Sequence, residues 1–183
     1  MECCRRAGGE PGWVPRFLAD AMLGRLATWL RILGYDAEYC RAEDDLLLRR
    51  SHEEGRILLT RDTGLFRRRS EGVRSPADRL PPRVFIQSDR VTEQIRQLAQ
   101  CLALDLSTPP TRRCVRCNVV LEPRAKALVA GRVPEFVWSH HDAFWGCPNC
   151  GRIYWAGSHR RRMDETIRAL GVPDQAPRTP TTD

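Results

Sequence analysis

The chain has 183 residues, enough for one medium domain plus a small module and a real hydrophobic core. Its formal charge of +7 and isoelectric point of about 9.3 favour an anionic partner, although 29 of the 30 basic residues are arginine and Lys126 alone is lysine, a skew that genome composition can produce. No run approaches the roughly 18–20 apolar residues of a bilayer span. The first residues, MECCRRAGGEPGWVPR, hold no apolar core of the secretory kind. The expectation is a cytoplasmic protein with no membrane partner; the oligomeric state is not legible.

Residues 1–15 are rich in Gly, Pro and charge and read as a flexible tail. RFLA (16–19) reads as a short strand and AMLGRLATWLRILG (21–34) as a helix. Met22, Leu23, Leu26, Ala27, Leu30 and Leu33 recur at helical spacing, Arg25, Thr28 and Arg31 form the polar stripe, and Gly34 suits the stop. DAEYC (36–40) is a second strand, and DDLLLRRSHEEG (44–55) a second helix ending at Gly55. In RILLTRDTGLF (56–66), Ile57, Leu58 and Leu59 show no polar alternation, so they read as a strand buried on both faces. A short helix carrying Arg67, Arg68 and Arg69 follows it. RVFIQ (83–87) is a fourth strand, and Asp89 is placed to cap a helix over 90–104. Such alternation predicts an α/β domain over 16–106, a parallel sheet flanked by helices. STPPTRR (107–113) reads as a linker to a cysteine-bearing module. Residues 163–170 read as a closing helix that ends the module near 171, and 172–183 as a disordered tail.

Acidic residues occupy three corresponding strand ends: Asp20, the pair Asp44 and Asp45, and Asp62. Sites in open parallel sheets form outside those carboxyl ends. Two like charges about 5 Å apart repel by roughly 3 kcal/mol at an effective dielectric near 20, so three together need a cation or a proton. Mg²⁺ or Mn²⁺ suits such hard oxygen ligands. The competing reading is helix capping, because each of these residues also precedes a helix, where Asp stabilises by about 1 kcal/mol.

Of the eight cysteines, four form two C-x-x-C pairs, CVRC (114–117) and CPNC (147–150). Cys114, Cys117, Cys147 and Cys150 have the spacing of two knuckles closing a tetrahedron of thiolates around Zn²⁺, with no open position, so the zinc is expected to be structural. Binding of that kind supplies on the order of 10 kcal/mol of folding energy in small modules. Asn118 and Gly151, after each second cysteine, both tolerate left-handed backbone. His140, His141 and His159 are not needed as ligands. In RIYWAGSHRRRM, Tyr154 and Trp155 stand close to Arg160, Arg161 and Arg162. Interleaved rings and charges can stack on unpaired bases and neutralise phosphates; the alternative is ordinary module core plus a solvated charge run. Arg112, Arg113 and Arg116 add positive charge nearby.

The stretches RFLADAMLGRLATWLRILGYDAEY, DDLLL and RILLTRD resemble the PIN-like ribonuclease domain of the Mut-seven C-terminal RNase family, and RCVRCN with CPNCGRIYWAGSHRRRM resembles the zinc ribbon that accompanies it. The likeness spans roughly residues 16–168. It implies a PIN-like fold and a Mg²⁺- or Mn²⁺-dependent endoribonuclease acting on single-stranded or structured RNA, with the ribbon aiding RNA binding. By position, Asp20 and Asp62 match two acidic sites, and the second falls on the DD pair, with Asp45 preferred and Asp44 as its cap or substitute. A fourth carboxylate has only Asp89 as a nearby candidate, and there capping is the stronger reading. Arg25 and Arg61, beside the proposed ligands, are candidates to hold a scissile phosphate by a bidentate fork. A salt bridge that orients the carboxylates is the alternative. Thr60 is in reach to hydrogen-bond a ligand carboxylate. Two other functions remain open: an RNA-binding protein with an inactive centre, and a DNA-directed nuclease.

Overall fold

The structure, a computed structural model, describes residues 13–68, 83–106 and 110–156. Most of both expected tails, the closing helix at 163–170, and Arg69, His159, Arg160, Arg161 and Arg162 lie outside the described residues.

Strand β1 (Arg16–Ala19) leads through a 3-10 turn (Ala21–Leu23) into α1 (Gly24–Ile32). The pattern predicts one helix from residue 21; the opening turn is tighter because Leu23 N–H closes onto the Asp20 carbonyl, three residues back, at 2.8 Å. The helix stops where Gly34 takes φ 88°, with its own N–H on the Arg31 carbonyl and that of Tyr35 on the Leu30 carbonyl. That double bond is the Schellman arrangement, which Gly34 adopts without Cβ strain. Next come β2 (Asp36–Tyr39), α2 (Asp44–Glu53), β3 (Ile57–Thr60), the short α3 (Thr63–Arg67), β4 (Arg83–Phe85) and α4 (Val91–Leu102).

Asp89 does not cap α4. Arg90 occupies the N-cap position without a side-chain bond, and Ser88 does the work instead. The Ser88 hydroxyl accepts from Arg90 N–H at 3.0 Å and donates to the Glu93 carboxylate at 2.5 Å.

The four strands are all parallel, in the order β2-β1-β3-β4. One face of the sheet, with Phe17, Ala19, Ile57 and Leu59, packs against Leu26 and Leu30 of α1 and Ile95 and Leu98 of α4. The other, with Leu18 and Leu58, packs against Leu47 and Leu48 of α2 and Leu65 of α3. A strand covered on both sides has no wet face, which is why ILLT carries no polar alternation.

A second sheet is antiparallel, in the order β5 (Glu122–Arg124), β6 (Phe144–Gly146), β7 (Ile153–Trp155). A 3-10 turn (Lys126–Val129) and α5 (Glu135–His140) fill the long interval between β5 and β6. The two parts are fastened at the edge strand β2. Asn118, in the first cysteine knuckle and 5 % exposed, accepts from Ala37 N–H at 3.1 Å and donates to Asp36 and Glu38 at 2.8 and 3.0 Å. From the other side, Arg31 of α1 donates to the Val115 and Arg116 carbonyls at 3.0 and 3.3 Å. Asp36 also takes Arg56 at 2.6 Å and Arg113 at 3.8 Å.

Candidate active site and cysteine metal centre

Because the order runs β2-β1-β3-β4, the chain passes from β1 to one side and returns on the other. The crevice beyond the carboxyl ends of β1 and β3 is therefore the topological switch point of the sheet. Asp20 directly follows β1, and the register that pairs Leu18 with Leu58 and Ala19 with Leu59 carries on to set Asp20 beside Thr60. Thr60 is wholly buried, and its hydroxyl donates to Asp20 Oδ2 at 2.8 Å while accepting from Asp62 N–H at 3.0 Å. One hydroxyl thus holds two acidic positions from different strands together. The capping reading is also realised at both. Asp20 accepts from Ala21 N–H at 2.5 Å, and Asp62 Oδ1 accepts from Leu65 N–H at 3.0 Å.

Asp44 and Asp45 lie differently. Residues 40–43 separate them from β2, and Glu43, not Asp44, occupies the N-cap of α2. Both aspartates sit in the first turn, where a carboxylate meets the positive end of the helix. Arg68, one residue beyond α3, pairs with Asp45 at 3.0 Å and Asp44 at 3.6 Å. Among the described residues the four cysteines are the group of metal-ligating side chains gathered closely enough to share one ion, and the aspartates are not drawn together to that degree. Arg25 is exposed and Arg61 half-buried, and neither forms an ion pair among the described residues. The salt-bridge role considered for them belongs to Arg68, which the sequence pattern marks only as part of a basic run.

The cysteines fit zinc well. Their sulfurs lie within 4.8 Å of one another, and Cys114 and Cys150 are 3.7 Å apart. A tetrahedron with Zn–S arms of ~2.3 Å has edges of about 3.8 Å. The two knuckles repeat the same bonds. Cys114 N–H reaches the Val119 carbonyl and Cys147 N–H the Arg152 carbonyl, both at 2.9 Å. Cys117 N–H points to Cys114 Sγ and Cys150 N–H to Cys147 Sγ, both at 3.4 Å. Asn118 and Gly151 take φ 63° and 69°, the left-handed turn expected of them. Burial pushes the Cys114 thiol up, but the Tyr154 hydroxyl at 3.1 Å and backbone N–H groups outweigh it and bring Cys114 down to about 6. Tyr154 therefore packs into the centre, and His140 stacks on Phe136, with its ring centroid 4.2 Å away, rather than joining it. Arg112 lies over the Trp145 ring at 4.0 Å.

No described helix is long and apolar enough to cross a membrane. Fold and site together define a class: a parallel α/β domain with acidic residues at its switch point, joined to a four-cysteine metal module. Within that class the chain belongs to the Mut7-C RNAse domain family, whose model matches residues 15–167, so its function is of the nuclease type. No curated protein and no solved structure matches it.

Proposed function

We propose that the protein is an endoribonuclease that cleaves RNA at the switch point with the help of Mg²⁺ or Mn²⁺, and that its cysteine module holds a structural zinc and helps to grip the RNA. The observation that carries this reading is the Thr60 hydroxyl, shared between Asp20 and Asp62 at the carboxyl edge of the sheet in a chain of an RNAse family. The donor chemistry suits a hard divalent cation, because a carboxylate that already accepts one hydrogen bond per oxygen keeps further lone pairs. Asp20 and Asp62 would hold the ion, with Asp45 joining where Arg68 releases it. Such an ion, when bound, supplies an activated water and offsets charge on the phosphodiester. The chain's own residues do the remainder. Thr60 fixes the Asp20 carboxylate against rotation, the Asp62 cap holds its side chain at the start of α3, and Arg25 and Arg61, without a carboxylate partner among the described residues, are placed to receive a phosphate.

The test is cleavage of end-labelled RNA with and without Mn²⁺, comparing wild type with Asp20→Asn and Asp62→Asn. Losses of more than ~100-fold are expected, since removing even an outer partner of a metal ligand costs 10–100-fold. Wild-type cleavage that both substitutions leave intact ends the proposal. Labelled single-stranded DNA in the same assay decides whether the target is RNA. A second reading, RNA binding without cleavage, is favoured by the pairing of Asp44 and Asp45 with Arg68. Equal RNA binding and no cleavage in all three proteins is its signature.

A further inference from the structure

The cysteine module carries an open pocket of about 430 Å³ lined by Val115, Arg132, Gly151, Arg152, Ile153 and Tyr154. Its size falls in the ~300–1,000 Å³ range of small-ligand sites. We propose that it binds one nucleotide of single-stranded RNA, with the phosphate on Arg132 and Arg152 and the base on the Tyr154 ring. The inference rests on the RNA-directed reading above and deepens it. None of the described residues that line the pocket is acidic. Among the described residues Arg132 makes one side-chain bond, to the Gly151 carbonyl at 3.1 Å, which leaves most of its five N–H groups to a ligand. Arg152 is exposed and has no ion pair among the described residues. Tyr154 is already anchored by its hydroxyl on Cys114 Sγ, so little side-chain freedom is lost when a base stacks on it.

The pocket takes Val115 from the first knuckle and Gly151 and Arg152 from the second, so it exists only while the cysteines are gathered. Its place also separates gripping from cutting. The first knuckle docks on Asp36, Ala37 and Glu38 of β2, whereas Asp20 stands past the far end of the neighbouring strand. The docked residues lie two to four strand positions short of Asp20, about 7–13 Å, and the pocket lies beyond them on the module. The nucleotide held in the pocket is therefore not the one attacked, and the pocket contributes only to RNA long enough to reach both places.

The experiment measures anisotropy of a labelled 12-nucleotide single-stranded RNA without divalent cations, for wild type, Arg132→Ala/Arg152→Ala, and Arg49→Ala/Arg90→Ala as a charge-matched control. The pocket variant should bind at least about tenfold more weakly than the control. Its salt slope should be shallower by about 0.7, the value for one phosphate contact on a single strand. An abasic oligonucleotide should weaken wild-type binding at least about fivefold. Metal analysis confirms that zinc is retained. If the double variant loses zinc, Arg152→Ala alone carries the test, since that side chain makes no ion pair among the described residues. Pocket and control variants with equal affinity and slope overturn the inference. Cleavage with Mn²⁺ is scored separately. An inactive wild type whose binding depends on Arg132 and Arg152 ends the nuclease reading and keeps the pocket, and an active one whose binding ignores them does the reverse.

Discussion

Thr60 and Asn118, both buried, each join segments that are distant in the chain by side-chain hydrogen bonds. Replacing Thr60 with valine keeps the shape but removes a buried hydroxyl, leaving Asp62 N–H and Asp20 Oδ2 without that partner. We expect a stability loss of about 1–3 kcal/mol in urea unfolding, and, under the function proposed above, cleavage 10–100-fold slower, the usual cost of losing a group that orients a metal ligand. An unchanged cleavage rate in Thr60→Val would remove the residue from the site. Asn118 separates two effects, since it sits at φ 63° and also fastens β2. Asn118→Gly keeps the backbone freedom and loses the amide; Asn118→Ala loses both. Alanine should therefore be the worse by about 1–2 kcal/mol, the cost of left-handed backbone for a residue with a Cβ. Thr60 was legible as a possible partner for a ligand carboxylate because a polar residue ends an apolar run. The fastening by Asn118 was not, because its left-handed tolerance alone explains an Asn at that position.

Among the elements, the boundaries read from the pattern hold to within a residue or two. The exceptions have local causes, namely the 3-10 turn that Asp20 opens and the bonds of Ser88, rather than Asp89, ahead of α4. Tyr35 links the turn after α1 to the segment after α4 through its hydroxyl on the Asp105 carbonyl at 2.7 Å. Burial, with a smaller contribution from the charge of Asp105, pushes the Tyr35 phenol up to about 12. Its folded pKa lies above the ordinary value near 10, so between about pH 10 and 12 the folded chain keeps a proton that the unfolded chain has lost. Stability must fall as pH rises through that window. Tyr35→Phe should flatten the fall, seen as thermal midpoints that converge with wild type at high pH; parallel curves would show that another group governs it. The edge strand responds to acid in the opposite sense. Burial works against ionisation of Asp36, but bonds from Arg56 and Asn118 and the charges of Arg56 and Arg113 hold its carboxyl below the usual range. The stability Asp36 contributes is present above about pH 4 and is lost as pH drops through its folded value.

At the scale of the molecule, the cysteine module is not an appendage on a linker, because its first knuckle completes the hydrogen bonding of β2. Chelating the zinc proposed for the four cysteines should therefore loosen more than the module. We expect a lowered thermal midpoint and faster hydrogen exchange at the Ala37 amide, whose acceptor is Asn118. Slow exchange at Ala37 after complete zinc removal would show that the joint stands without the metal. Cys147→Ser should give the same exchange pattern, since folding energy in such modules comes largely from the metal.

The chain alone was enough to establish the alternation of strands and helices, the paired cysteines and the acidic residues that follow β1 and β3, because periodicity and spacing are local properties that a short stretch carries within itself. The strand order was beyond it. Packing of Phe17, Ile57 and their neighbours under α1 and α4 sets β1 next to β3, and only that adjacency brings Asp20 to Thr60 and Asp62. The same long-range packing leaves Asp44 and Asp45 with Arg68, and it seats Asn118 on β2. Which partner a charged or polar side chain meets depends on residues forty or eighty positions away, and no local pattern encodes that choice.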